Sequence, residues 1–177
     1  MKKFILATLL AIPALATAQN GYYVQADVGY ARVKVDGVSG GDDTISYGVA
    51  VGKAMDSGAR FAVDYTHIAN GDFNQKGTNF KMKAHSVGAS AIYDFKNDTP
   101  LTPYLGVKAS ATRLSGKGDG HHSKHVTRTG MGAVAGVQYQ VAPNLALDGA
   151  VEYNYLGKFE GQKVTQYGAK AGVRMDF

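Results

Sequence analysis

The chain contains no cysteine. That absence excludes disulfide scaffolds, thiolate zinc sites, iron–sulfur clusters and cysteine nucleophiles together. Its 23 glycines follow no every-third-residue period, which excludes a collagen-like helix. No apolar run reaches the ~20 residues that a membrane-spanning helix needs. Proline is scarce, at 4 of 177 residues, and charged residues make up only 19%. With 45% hydrophobic residues the chain is too apolar to stay disordered. No internal repeat longer than a hairpin is visible, nor any low-complexity linker, so the length suits one domain. The net charge of +5 and the pI near 9.3 would suit a nucleic-acid binder. The layout of the sequence argues against one.

Residues 1–18 read as a secretory signal peptide. Met1-Lys2-Lys3 is a basic start, Phe4–Leu15 is apolar apart from Thr8 and Pro13, and Ala16-Thr17-Ala18 fits small-x-small cleavage after Ala18. The twin-arginine signature is missing, so the route expected is Sec export. Removing 18 of 177 residues leaves 159, with 17 basic residues against 14 acidic ones, or +3. A chain that leaves the cytoplasm does not meet cytosolic DNA or RNA, so no nucleic-acid partner is expected.

From residue 19 onward the dominant signal is period-2 alternation, the pattern of strands. It recurs over eight segments, near 22–31, 45–52, 60–67, 86–95, 104–112, 130–139, 145–155 and 167–177. One face is apolar, as in Tyr22, Val24, Ala26, Val28 and Tyr30, or Leu105, Val107, Ala109 and Ala111. The other is polar or small, with Ile92 and Val134 as exceptions. A soluble sandwich also alternates. Three features favour a membrane barrel instead. The polar face carries mid-strand charges of both signs: Asp27, Asp64, Asp148 and Glu152 against Arg60, Lys108, Lys170 and Arg174. A closed interior requires such a balance because an unpaired buried charge is costly. Tyrosine and phenylalanine sit near strand ends on the apolar face, like interfacial belts. Connectors alternate in length, short at 55–58, 96–100 and 142–144, and longer and polar at 34–43, 68–80, 115–125 and 157–163. The fold expected is all-β: an eight-stranded antiparallel transmembrane β-barrel over 19–177 with four extracellular loops, in the outer membrane of a Gram-negative bacterium.

Several segments carry a resemblance to a known family: Tyr22–Asp27, Arg60–Thr66, Ser86–Phe95, Pro103–Gly106, Tyr153–Lys158 and Gly172–Arg174 before the final Phe177. Together they resemble the opacity (Opa) family of outer-membrane proteins, formally a porin family. The resemblance implies a small barrel plugged by its own side chains rather than an open channel. It implies adhesion to host ligands, as in larger relatives with long variable loops; here the loops run only about seven to thirteen residues. It also implies that the C-terminal strand, with Tyr167, Val173, Met175 and Phe177, is recognised by the barrel-assembly machinery.

The outer end is basic. Arg32, Lys34, Lys76, Lys81, Lys83, Arg113, Lys117, Lys124, Arg128, Lys158 and Lys163 face Asp36, Asp42, Asp43, Asp72, Asp119 and Glu160 there. Such a rim suits the phosphates of lipopolysaccharide and outer-membrane lipid, or a sulfated host polysaccharide. The expected ligand-contact residues are Lys76, Lys81, Lys83, Lys117, His121, His122, Lys124, His125, Lys158 and Lys163. The cluster His121-His122-Ser-Lys-His125 has the residue type for a transition metal. With no Cys and only Asp119 nearby it reads as an exposed basic loop, and neither metal nor cofactor is expected. Lipid-A-modifying hydrolysis would need a serine paired with histidine. His85 and Ser86 point to opposite faces of a strand, and His67 has no serine at matching parity, so no enzyme is expected. The alternative to a surface-interaction barrel is a small-solute diffusion porin.

Overall fold

In the computed structural model of the chain, residues 21–35, 42–68, 72–75, 78–117, 124–159 and 162–177 are described. The expected signal peptide lies outside them. Nine strands are present: β1 (Tyr22–Val35), β2 (Asp42–Ala54), β3 (Ala59–Ile68), β4 (Asp72–Gln75), β5 (Thr78–Asp94), β6 (Leu101–Lys117), β7 (Lys124–Ala142), β8 (Leu145–Phe159) and β9 (Gln162–Asp176). All pairings are antiparallel and run β3-β2-β1-β9-β8-β7-β6-β5, with β3 also pairing β5. That pairing closes an eight-stranded ring. The four-residue β4 adds to β5 beyond the end of β3.

Closure follows from the solvent. In hydrocarbon an unpaired row of backbone N–H and C=O groups has no partner, so a spanning sheet must have no edge. The first and last strands lie side by side in the ring: Tyr23 pairs Asp176 and Val35 pairs Val164. The Phe177 N–H donates to the Tyr22 carbonyl at 2.8 Å.

Alternation sorts the side chains. Val51, Val63, Val107 and Val151 lie on the outer surface at 53–64% exposure. In water so continuous an apolar surface would associate; in a bilayer it is the lipid contact. Aromatics ring both ends of this surface, with Tyr22, Phe61, Tyr93, Phe95 and Tyr139 at the end carrying the short turns, and Tyr30, Tyr47, Tyr65, Tyr153 and Tyr155 toward the other. Ile92 and Val134, the two apolar exceptions on the inner face, meet there. They pack with Tyr104 and Ala150 in one interior cluster.

The short turns form the periplasmic end. Gly58, at φ +88°, closes the first of them by donating to the Met55 carbonyl at 3.0 Å, a backbone conformation that side chains rarely adopt. The side chain of Asn97 accepts from the Thr99 N–H at 2.9 Å, and Lys96 Nζ reaches across to the Asp56 carbonyl at 2.9 Å. Pro143 and Asn144 alone join β7 to β8.

At the outer end the strands run further than the alternation indicates. β5 begins at Thr78, β6 ends at Lys117, β7 begins at Lys124, and β8 and β9 are separated only by residues 160–161. Lys81, Lys83, Lys117, Lys124, His125, Lys158 and Lys163 therefore lie on strands and not on loops, and Asp72–Gln75 is a strand within the segment read as the second loop. The reason is physical. Above the membrane both faces of a strand meet water, so the apolar–polar contrast disappears while the backbone ladder continues.

A lipid-facing charge should disrupt this barrel where a rim charge does not. Val151→Lys on the outer face of β8 should cost ~2–4 kcal/mol at the bilayer midplane, whereas Lys124→Glu should leave folding unchanged. Refolding yield into vesicles, read by the heat-dependent gel shift of folded barrels, checks both.

Candidate functional site

The barrel interior is built by the inward residues of all eight ring strands, and the charges expected there form two groups. The first lies toward the periplasmic end. Arg60, only 1% exposed, sits 3.1 Å from an Asp94 carboxylate oxygen. Its guanidinium carbon lies 4.8 Å from the ring centroid of Tyr104 and 5.5 Å from that of Tyr23. Arg174 stacks on the same Tyr23 ring at 4.1 Å, donates to Gln138 Oε1 at 2.9 Å and pairs with Asp176. Asp148 is held without a cation. It accepts from Tyr104 Oη at 3.1 Å, Gln25 Nε2 at 3.2 Å and Gln138 Nε2 at 3.3 Å.

The second group lies nearer mid-barrel. Lys108 Nζ is 2.9 Å from Asp64 and Lys170 Nζ is 2.6 Å from Glu152. Asp27 lies within electrostatic reach of both lysines. Inward glycines make the room. A Cβ at Gly88 would stand 2.7 Å from Asp64 Oδ1, and one at Gly136 would stand 2.6 Å from the Tyr104 hydroxyl.

The equal count of acids and bases does not survive. Asp94 and Asp176 also face inward, and they are the partners of the two arginines. Among the inward residues whose side chains are described, six carboxylates therefore accompany four cations. Alternation puts both on the polar face of their strands, but at strand ends, outside the mid-strand count. The excess is met by neutral donors, as at Asp148, because hydrogen bonds to a carboxylate also offset its desolvation.

At the outer end, Lys76, His121 and His122 lie outside the described residues. The strand register sets Lys81 opposite Lys117 and Lys158 opposite Lys163. Directly opposed like charges in a sheet are destabilising. Lys81 also has Asp72 opposite it on β4. The two histidines weighed in the sequence as partners for a serine instead meet each other: His67 and His85 are cross-strand partners, with Nδ1 atoms 3.4 Å apart. Their spacing of 18 residues carries no local signal; only the register brings them together. Ser86 points inward, where Thr112 Oγ1 donates to it at 3.0 Å. On the C-terminal strand, Tyr167, Val173 and Met175 are on the lipid-facing side.

Comparison with known proteins places this geometry. The model for the opacity family porin proteins matches residues 51–177. Protein opa of Haemophilus influenzae is 34% identical over 120 residues, covering 66% of this chain and 98% of that protein. The crystal structure of neisserial surface protein A superposes with a TM-score of 0.75 at 38% identity, covering 89% of this chain and 97% of that one. The crystal structure of Ail from Yersinia pestis, in complex with the heparin analogue sucrose octasulfate, has a TM-score of 0.60 at 18% identity. It covers 87% of this chain and 97% of its own, a likeness of fold.

Removing one partner of a buried pair should cost more than removing both. Arg60→Met leaves Asp94 buried and uncompensated and should destabilise the barrel by about 3–5 kcal/mol. Arg60→Met with Asp94→Leu should recover much of that loss. Urea unfolding of the two variants in the same lipid checks the sign of the difference.

Proposed function

This chain belongs to the opacity family of outer-membrane β-barrels, and we propose that it is a surface-interaction protein whose rigid, side-chain-filled barrel holds a basic outer rim against an anionic ligand. The observation that carries this reading is the register at the rim. Lysine stands opposite lysine at 81/117 and at 158/163. A sheet tolerates that arrangement best when counter-charge is supplied from outside, and functional residues concentrate at the ends of rigid elements. Lys83, Lys124 and His125 lie on the strands of that end, and Lys76, His121 and His122, which fall by sequence in the connectors between those strands, complete the proposed contact surface.

Two chemistries fit the rim: sulfated or phosphorylated host polysaccharide, and the phosphates of neighbouring lipopolysaccharide. The heparin analogue in the Ail structure is a property of Ail, and it supplies a convenient probe. The interior contributes rigidity. The Arg60–Asp94 and Lys170–Glu152 pairs join neighbouring strands and Lys108–Asp64 spans the one strand between β3 and β6; these inward side chains occupy interior space and support a plugged lumen in preference to a diffusion pore. Export by the Sec route with cleavage after Ala18 belongs to the same reading. So does recognition of Tyr167, Val173, Met175 and Phe177 by the barrel-assembly machinery.

Binding to a heparin-like polymer should weaken with salt, as the Debye length falls from ~10 Å at 0.1 M to ~3 Å at 1 M. It should strengthen on acidification through the rim histidines. A variant with Lys117, Lys124 and His121 all changed to glutamine should lose most of this binding and keep its fold. Salt-independent binding untouched by the variant would refute the electrostatic rim. Sustained large conductance in planar bilayers would refute the plugged lumen and favour the diffusion pore.

A further inference from the structure

The lipid-facing wall is apolar through its middle. Outward positions read Tyr93, Ala91, Ala89 and Val87 along β5, and Leu105, Val107, Ala109 and Ala111 along β6. One rung further out the character changes at once. Tyr47, His67, His85 and Arg113 lie side by side in one continuous register row across β2, β3, β5 and β6. From Phe95, one residue past the end of β5, to His85 is a span of ten residues. At ~3.3 Å per residue and a tilt near 40° that is about 25 Å of height, the thickness of the apolar band of an outer-membrane barrel. His85 therefore stands at the boundary between acyl chains and headgroups in the outer leaflet, with His67 and Arg113 about 3 Å to either side of that height because a register row crosses tilted strands at right angles.

Its side chains are arranged as donors. The Tyr65 hydroxyl lies 2.6 Å from His85 Nδ1, and the His67 and His85 rings pack with centroids 4.8 Å apart. With Tyr65 donating, the imidazole proton of His85 sits on Nε2 and is available to an acceptor. Arg113, opposite His85, is exposed and has no ion-pair partner among the described residues. No carboxylate shares the row.

We propose that the row formed by His67, His85 and Arg113 on the outer wall of the barrel binds the phosphate of an outer-leaflet lipid headgroup, whose acyl chains lie on the apolar wall beneath it. Charge complementarity and the height of the row at the membrane boundary argue for this occupant over a soluble anion. Arginine supplies the planar fork that holds phosphate oxygens, and the imidazole adds a directed donor. The proposal rests on the outer-membrane orientation and localises one lipopolysaccharide contact to the wall. It does not depend on a host ligand at the rim.

The test uses the full refolded barrel, delipidated in detergent, with bisphosphorylated lipid A and with the same lipid dephosphorylated as probes. Retention is read by native mass spectrometry. The wild type should hold the phosphorylated lipid at least tenfold more tightly than the dephosphorylated one. The triple variant His67→Gln, His85→Gln, Arg113→Gln should lose that preference. Lys53→Gln, at the opposite end of the same outer surface, should keep it. Should the triple variant fail to show the folded gel shift, Arg113→Gln alone, at an exposed position, should lower retention at least threefold. Equal retention of both lipids by the wild type, or an unchanged preference in a folded variant, would overturn the proposal. Retention that requires added zinc and disappears with chelator would assign the histidine pair to a metal and overturn it as well. Heparin binding by the His67→Gln, His85→Gln double variant should be unchanged, so failure here is separable from failure of the rim reading.

Discussion

Every feature of this molecule answers to one constraint: in hydrocarbon, each backbone N–H and C=O must find its partner within the protein. An antiparallel sheet meets that condition only by closing. Closure joins β1 to β9 and β3 to β5, sends alternate side chains to opposite surfaces and leaves no edge at mid-membrane. The outer surface then has to be apolar. The inner surface has to be filled by whatever eight strands can enclose, since a ring of that size leaves just enough width for side chains.

The filling is polar because one face of each strand is committed to lipid and the other receives the remaining chemistry. Charges in that interior persist only where they are partnered. Arginine is used where tyrosine faces are available, over Tyr23 and Tyr104, and lysine where a carboxylate stands on the next strand or the one beyond it. Glycines appear on the inner face where a long side chain from a neighbouring strand needs the space, as Gly136 does beside Tyr104. The outcome is a stiff scaffold. For the proposed surface role this matters, because a binding rim held by paired strands would lose little conformational freedom on meeting a ligand.

Two surfaces remain for interaction, and they differ in what they can meet. The rim faces water and carries an excess of positive charge with lysines in register opposite one another. The outer wall faces lipid, and on the proposed reading its polar row of Tyr47, His67, His85 and Arg113 meets the headgroups. A polyanion in solution can reach the first surface and a membrane lipid the second. The division follows from the bilayer, which sorts ligands by depth before any side chain selects them.

Alternation by itself determined the eight ring strands, their facing and the class of fold, because a period of two is a local property that lipid on one side makes unusually clean. It also sufficed to name the interior charges at mid-strand. It did not reveal the outer limits of the strands, since above the membrane no apolar–polar contrast marks them. Nor did it reveal that Asp94 and Asp176 face the arginines, that Ile92 and Val134 pack together inside the barrel, or that His67 and His85 touch. Those are contacts between strands, and a contact between strands depends on register. Register is set by the closure of the whole ring, so it exists only in the tertiary structure.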